Sequence, residues 1–398
     1  MKRQQNFQHL PRILAVFGSV AVWTLLSGSS RPNTTLQSKR WLPIWAQPPA
    51  ISTAAAAPDN SHIQLRRSMT RAAQVAAMRR VNQQFPEEVI IPTYSAFNQQ
   101  TERLAVAGEQ FAAEPNEATF SELQETWLVA ALTWSQSQAF AFGPVHSLGH
   151  EAALGSSLDE AGIDTLLVDG ADLPVEDWDE ISLQPSMQGF EAIAYILYAP
   201  EGSRTHEQIS AAERFYLRKV TANIHETATA LLNVWEAGHD SYPAYKTVLA
   251  TAGDSSNRTY LSVESGTEEI VRSLMSVLDE TGAETLPSLM ELDSLSDAAF
   301  DDIPFQMVSH TLIGAQRAYA GMLPSAERAG LSRWVAASQS QTHEQIQAAL
   351  QTAIDDFEQI ITQPEAADIS ASLQSAQNAI ETAQALLTEQ VLPVTQSL

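Results

Sequence analysis

From about Glu87 to the end of the chain, apolar residues recur every three or four positions, and almost no stretch alternates as a half-buried strand would. Such spacing gathers apolar side chains on one stripe of a helix, which must be buried against a neighbour. An all-α fold is the expectation. Ile90, Tyr94, Phe97, Leu104, Gly108 and Phe111 mark a first stripe, and Phe120, Leu123, Trp127, Ala130 and Trp134 a second. A short third helix runs from about Met187 to Tyr198 and stops at Pro200. The fourth carries Ile209, Ala212, Tyr216, Val220, Ile224, Leu231 and Val234 and ends near Gly238. Four more are read at Leu261 to Leu278, Val308 to Met322, Ile346 to Ile361 and Ile369 to Val391. This count predicts two four-helix bundles, residues 81–245 and 246–398, joined near 245. No internal repeat relates the two halves.

One region interrupts the pattern. Between Phe142-Gly143-Pro144 and Gln188, glycines, prolines and carboxylates are frequent and periodicity fades, which predicts an irregular insertion before the third helix. Its acidic run, Glu176-Asp177-Trp178-Asp179-Glu180, reads as a solvated loop or as the first turn of a helix.

Charge divides the chain. Residues 1–80 contain eleven Lys or Arg against the single acid Asp59, whereas the remainder has 11 basic and 46 acidic residues. So acidic a body repels nucleic acid and anionic lipid and draws cations diffusely to its surface. Lys2, Arg3 and Arg12 precede an apolar run from Ile13 to Leu26 and the small residues Ser27-Gly28-Ser29-Ser30, a pattern expected of a signal peptide over residues 1–30. An alternative cut follows Ala46. The apolar run is shorter than the roughly 20 residues a helix needs to span a bilayer, so no transmembrane anchor is expected after cleavage. Residues 31–80 read as a linker and N-terminal extension. The sequence has no cysteine, which excludes disulfides, thiolate metal sites and a Cys nucleophile.

Several segments resemble the imelysin family. Thr126-Trp127-Leu128 through Trp134, followed by Ala139-Phe140-Ala141-Phe142-Gly143-Pro144-Val145, is similar to the family's Trp-containing helix and its exit. Gln188-Gly189-Phe190 with Ala194-Tyr195-Ile196-Leu197-Tyr198 matches the family's motif helix, and Leu386 to Val394 its C-terminal segment, with a weaker match at Pro304-Phe305. The family pattern Gly-x-His-x-x-Glu keeps only Gly189 here: Glu191 stands at the His position and Ala194 at the Glu position. The resemblance implies an all-helical, two-bundle protein of the periplasm or cell envelope, and it links the chain to a metallopeptidase and to iron uptake. With both active motif positions replaced, no catalytic residue is assigned, and a non-catalytic binding protein is the leading expectation. A metal-dependent peptidase and a structural envelope module are the alternatives.

The candidate metal ligands are Glu191, His146, His150, Glu151 and His310. A carboxylate inside a bundle must be paired, protonated or bound to a cation, so Glu191 is either a cation ligand or a hydrogen-bonded structural residue. In Val145-His146-Ser147-Leu148-Gly149-His150-Glu151, a four-residue spacing would set two imidazoles on one helical face, though Pro144 and Gly149 weaken the helix. His310, beside Ser309, could face the motif across the bundle interface. A divalent metal or iron is the candidate cofactor, and a metal ion or an envelope protein the candidate partner. No phosphate-cradling Gly-rich loop and no Gly-x-Ser-x-Gly elbow occurs. Trp127, Trp134 and Trp235 lie on apolar stripes and are expected in the core.

Overall fold

The computed structural model describes residues 61–155, 158–198, 204–290, 302–321, 330–363 and 368–396. The expected signal peptide and the linker as far as residue 60 lie outside them. Among the described residues there is no strand, only an isolated bridge between His239 and Tyr242, so the all-α expectation holds. No described helix is long and apolar enough to cross a membrane.

The first helix, α1 (Ser61–Phe85), runs through a π turn at Pro86–Ile90 into α2 (Ile91–Ala113). Pro92 has no N–H and its ring would strike the carbonyl one turn back; widening the preceding turn moves that carbonyl aside. The same solution recurs twice. A π turn at Thr281–Thr285 precedes Leu286-Pro287, and another at Leu387–Val391 precedes Leu392-Pro393. The last expected helix is therefore α16 (Ile369–Leu386) extended by a π turn and α17 (Leu392–Gln396).

The Trp-containing helix is α3 (Glu117–Ser137), started by Asn116, whose side chain accepts from the Ala118 and Thr119 amides. Short helices α4 (Pro144–Ser147), α5 (His150–Leu154), α6 (Glu160–Asp169) and α7 (Val175–Glu180) fill the expected irregular insertion. Its described residues are largely helical, but these helices are too short for periodicity to show in sequence. Trp178 in the acidic run is completely buried. Then come α8 (Phe190–Tyr198), α9 (Ala211–Glu236) and α10 (Tyr245–Ala250). Ser210 caps α9 reciprocally with Glu213, and Arg204 grips the Glu213 carboxylate at 2.6 Å.

The remaining helices are α11 (Val263–Glu280), α12 (Leu286–Met290), α13 (Ile303–Ala320), α14 (Ser332–Ser338) and α15 (Ser340–Thr362). α2 packs along α9 and α3, with α4 to α8 laid against α9. α15 packs between α13 and α16, touching both, and α11 packs on α16 and α17. The two groups are joined by α3 against α13 and by α1 against α11. At the first junction a Cβ on Gly314 would lie 2.1 Å from the Gln136 carbonyl oxygen, so only glycine permits that approach. Trp127, Trp134 and Trp235 are in the core as expected.

Candidate functional site

Three hydrogen bonds from two helices hold the start of the motif helix. Trp127 Nε1 on α3 donates to the Phe190 carbonyl at 3.1 Å, Tyr216 on α9 donates to the Met187 carbonyl at 2.7 Å, and Asn223 Nδ2 donates to Gln188 Oε1 at 2.9 Å. Gly189 enters the helix with φ +97°, a region L side chains avoid. A Cβ there would also sit 2.5 Å from the Leu154 carbonyl oxygen at the end of α5. The glycine of the pattern is thus explained by backbone geometry and by the close passage of α5.

Glu191 lies directly beneath that passage. A Cβ on Gly155 would fall 1.9 Å from Glu191 Oε2, and the residue is 6% exposed. Burial pushes its carboxyl up to about 8, against a hydrogen bond from its own backbone N–H. Burial without a charged partner thus favours the protonated form of the group. Ala194, one turn on, is 1% exposed in the apolar core. Tyr195 on the same helix donates to Asp164 at 2.9 Å, while Tyr198 stacks obliquely on Trp127 at 5.4 Å.

The other candidate ligands separate into three places. His146 Nδ1 meets Glu151 Oε2 at 2.7 Å, and Glu151 is 3% exposed with its Oε1 lacking any hydrogen-bond partner. Burial pulls the His146 pKa down, but the bond and charge of Glu151 outweigh it, so the ring titrates above its ordinary value. His150 sits on α5, with its pKa lowered by burial and by His239 in the turn after α9. His310 lies at the α3–α13 junction, where its Nδ1 accepts from Gln136 Nε2 at 2.7 Å and Arg317 donates to Gln136 Oε1. Its pKa is lowered by burial, and further by Arg317, despite a bond to Leu132. Among the described residues no three His, Asp or Glu side chains converge to hold a metal ion.

The sequence offered no signal for the surroundings of His146. The backbone at Gly143, three residues before it, rests on the Tyr245 ring of α10, and the Tyr245 hydroxyl lies 3.0 Å from that of Tyr260. Glu269 on α11 is half-buried, with its carboxyl pushed up by burial and drawn back by His146 and Arg272. His146 stands roughly 100 positions or more before Tyr245, Tyr260 and Glu269, a separation that no local pattern can join.

Known proteins share this architecture. A solved candidate iron-regulated protein A precursor from Parabacteroides distasonis superposes with a TM-score of 0.69 at 16% identity, covering 80% of this chain and 95% of that one. An imelysin-like protein from Psychrobacter arcticum gives 0.62 at 16% identity, covering 81% and 96%. In sequence, iron-regulated protein A of Synechococcus elongatus is 28% identical over 210 residues, which are 52% of this chain. The match spans about half of that relative, 54% of its length. The family model described as Imelysin (Peptidase M75) matches residues 90–394, which include Gly189, the Trp127 helix that holds it and the C-terminal π turn. By that match the chain belongs to the imelysin family.

Proposed function

We propose that this protein is an exported, cell-envelope member of the imelysin family that binds iron or another metal ion and does not cleave peptides. The observation that carries the reading is the state of the motif: a buried, neutral Glu191 beneath Gly155 and a buried Ala194, where the pattern has His and Glu. A zinc peptidase needs an open coordination position and a base that activates water. Neither residue supplies them. The names of the relatives, two of them iron-regulated proteins, support an iron-related role. Export is supported by the Lys2, Arg3 and Arg12 region ahead of the apolar run.

The test has two arms. Equilibrium dialysis of the purified protein against ferric nitrilotriacetate should retain iron on the protein, and a peptide-hydrolysis assay should give no turnover. Hydrolysis that Glu191→Ala abolishes would establish the peptidase instead. Fractionation of cells producing the native protein should recover it outside the cytoplasm.

A further inference from the structure

We propose that the outer face of α1 in one copy of this chain docks on the acidic face of α6 and α7 in a second copy, so that the protein associates with itself through opposite charges.

The first face stands against the charge of the rest. α1 carries Arg66, Arg67, Arg71, Arg79 and Arg80 and no acidic residue, whereas residues 81–398 hold 46 acids against 11 bases. Arg79 meets Asp254 at 3.3 Å, a pair open to solvent on both sides. Arg71 and Arg80 are exposed and form no ion pair among the described residues. Between these arginines, exposed Ala72 and Ala76 and half-buried Val75 leave a shallow groove of about 470 Å³. The Gly253 amide donates to the Tyr260 carbonyl at 3.0 Å, which sets Leu261, 78% exposed, beside the Asp254 that holds Arg79. The face is thus apolar in its middle and cationic at its rim.

The second face is its complement. Val168 near the end of α6 is 75% exposed and Leu173 is 36% exposed. Around them Asp169, Asp172, Glu176 and Asp177 all face solvent, and none forms an ion pair among the described residues. A Cβ on Gly170 would lie 2.4 Å from the ring of buried Trp178, so the end of α6 and α7 are held together as one surface.

The two faces lie at opposite ends of α9. Arg218, in its first half, donates to the Val175 carbonyl at 3.3 Å, while α1 packs on α10, which follows its far end. From Arg218 to Glu236 the helix rises about 27 Å, so the faces do not meet within one chain. Exposed apolar residues ringed by charge mark interaction surfaces, and opposite patches attract over about 8 Å at physiological salt. Beyond that distance the like net charge of two copies is screened. Each copy offers one face of each kind, which makes the contact heterologous.

In sedimentation velocity at 0.1 M salt, the mass of the full-length protein should rise with concentration above that of one chain, and 1 M salt should reverse the rise. The double variant Arg71→Glu with Arg80→Glu should stay a single chain, and so should Asp172→Lys with Glu176→Lys. Mixed in equal amounts the two should associate again, because each altered face then meets its opposite. Circular dichroism of each variant confirms that the helices persist. A single chain at every concentration, association that either double variant retains, or no association on mixing overturns the proposal. A protein that stays a single chain yet floats with phosphatidylglycerol vesicles, and loses this in the α1 variant, assigns the basic face to a lipid surface instead.

Discussion

The Glu191 pocket and the Tyr245–Tyr260 cluster are opposites in how they hold polar groups. Around Glu191 one carboxyl is sealed under Gly155, neutralised by burial and surrounded by a motif helix tied to its neighbours at Phe190, Met187 and Gln188. Around Tyr245 two phenols hydrogen-bond to each other at 3.0 Å, and half-buried Glu269 and His146 act on each other through their charges. A site that retains its lineage motif but has lost its ionisable pair behaves as packing. By contrast, the two phenols satisfy each other through one hydrogen bond, and the His146 ring stays partly open to solvent.

The comparison predicts that substitutions in the first region act on stability. Gly155→Val has the largest expected effect. Its backbone, at φ +148°, disfavours any side chain, and the new Cβ would strike the Glu191 carboxylate. Strained backbone and core overpacking each cost about 1–3 kcal/mol, so chemical denaturation should show a loss of roughly 3 kcal/mol or more. A near-neutral result would mean that the pocket is looser than a sealed one.

Glu191→Gln comes next, and its effect should depend on pH. The folded carboxyl titrates near 8 and the ordinary value is 4.5, so between these limits the folded state holds the proton more tightly than the unfolded chain. Its contribution is therefore most favourable at the acid end and declines as pH rises through that window. At about 1.4 kcal/mol per unit, the variant should be indistinguishable from the parent near pH 4 and more stable by roughly 2–4 kcal/mol at pH 9. Urea titrations at the two pH values measure the difference. A variant equally destabilised at both would show that the carboxyl is ionised and paired in the fold.

The smallest expected effect belongs to the second region. Tyr245→Phe removes one hydroxyl-to-hydroxyl bond at a half-buried site and should lower stability by only about 1 kcal/mol. A loss comparable to that of Gly155→Val would erase the contrast between the regions.

Most of the fold was legible in the sequence because long amphipathic helices repeat their signal over many turns. The stripes of α2, α3, α9, α11, α15 and α16 were placed within a few residues. The short α4 to α7 were not, since four to ten residues complete too few turns for a period to emerge. The π turns escaped for another reason: a proline ordinarily breaks a helix, whereas here the chain widens one turn before Pro92, Pro287 and Pro393 and continues. At the site, Gly189 and Glu191 were identified from a contiguous pattern, and His146 with Glu151 from their closeness in sequence. Tyr245, Tyr260 and Glu269 were invisible because their meeting is created by tertiary packing alone.

The packing of α1 on α11 bears on the order in which the protein can be completed. Asn82 on α1 donates to the Val263 carbonyl at 2.8 Å and accepts from the Thr267 hydroxyl at 2.9 Å, both in the buried contact. As the chain emerges from the ribosome, the receiving face appears some 180 residues after the helix it must hold. Throughout that interval Met78 and Asn82 lack their partner surface. The first described helix is thus among the last to be secured, and closing it requires the long loop that makes non-local contacts slow to form.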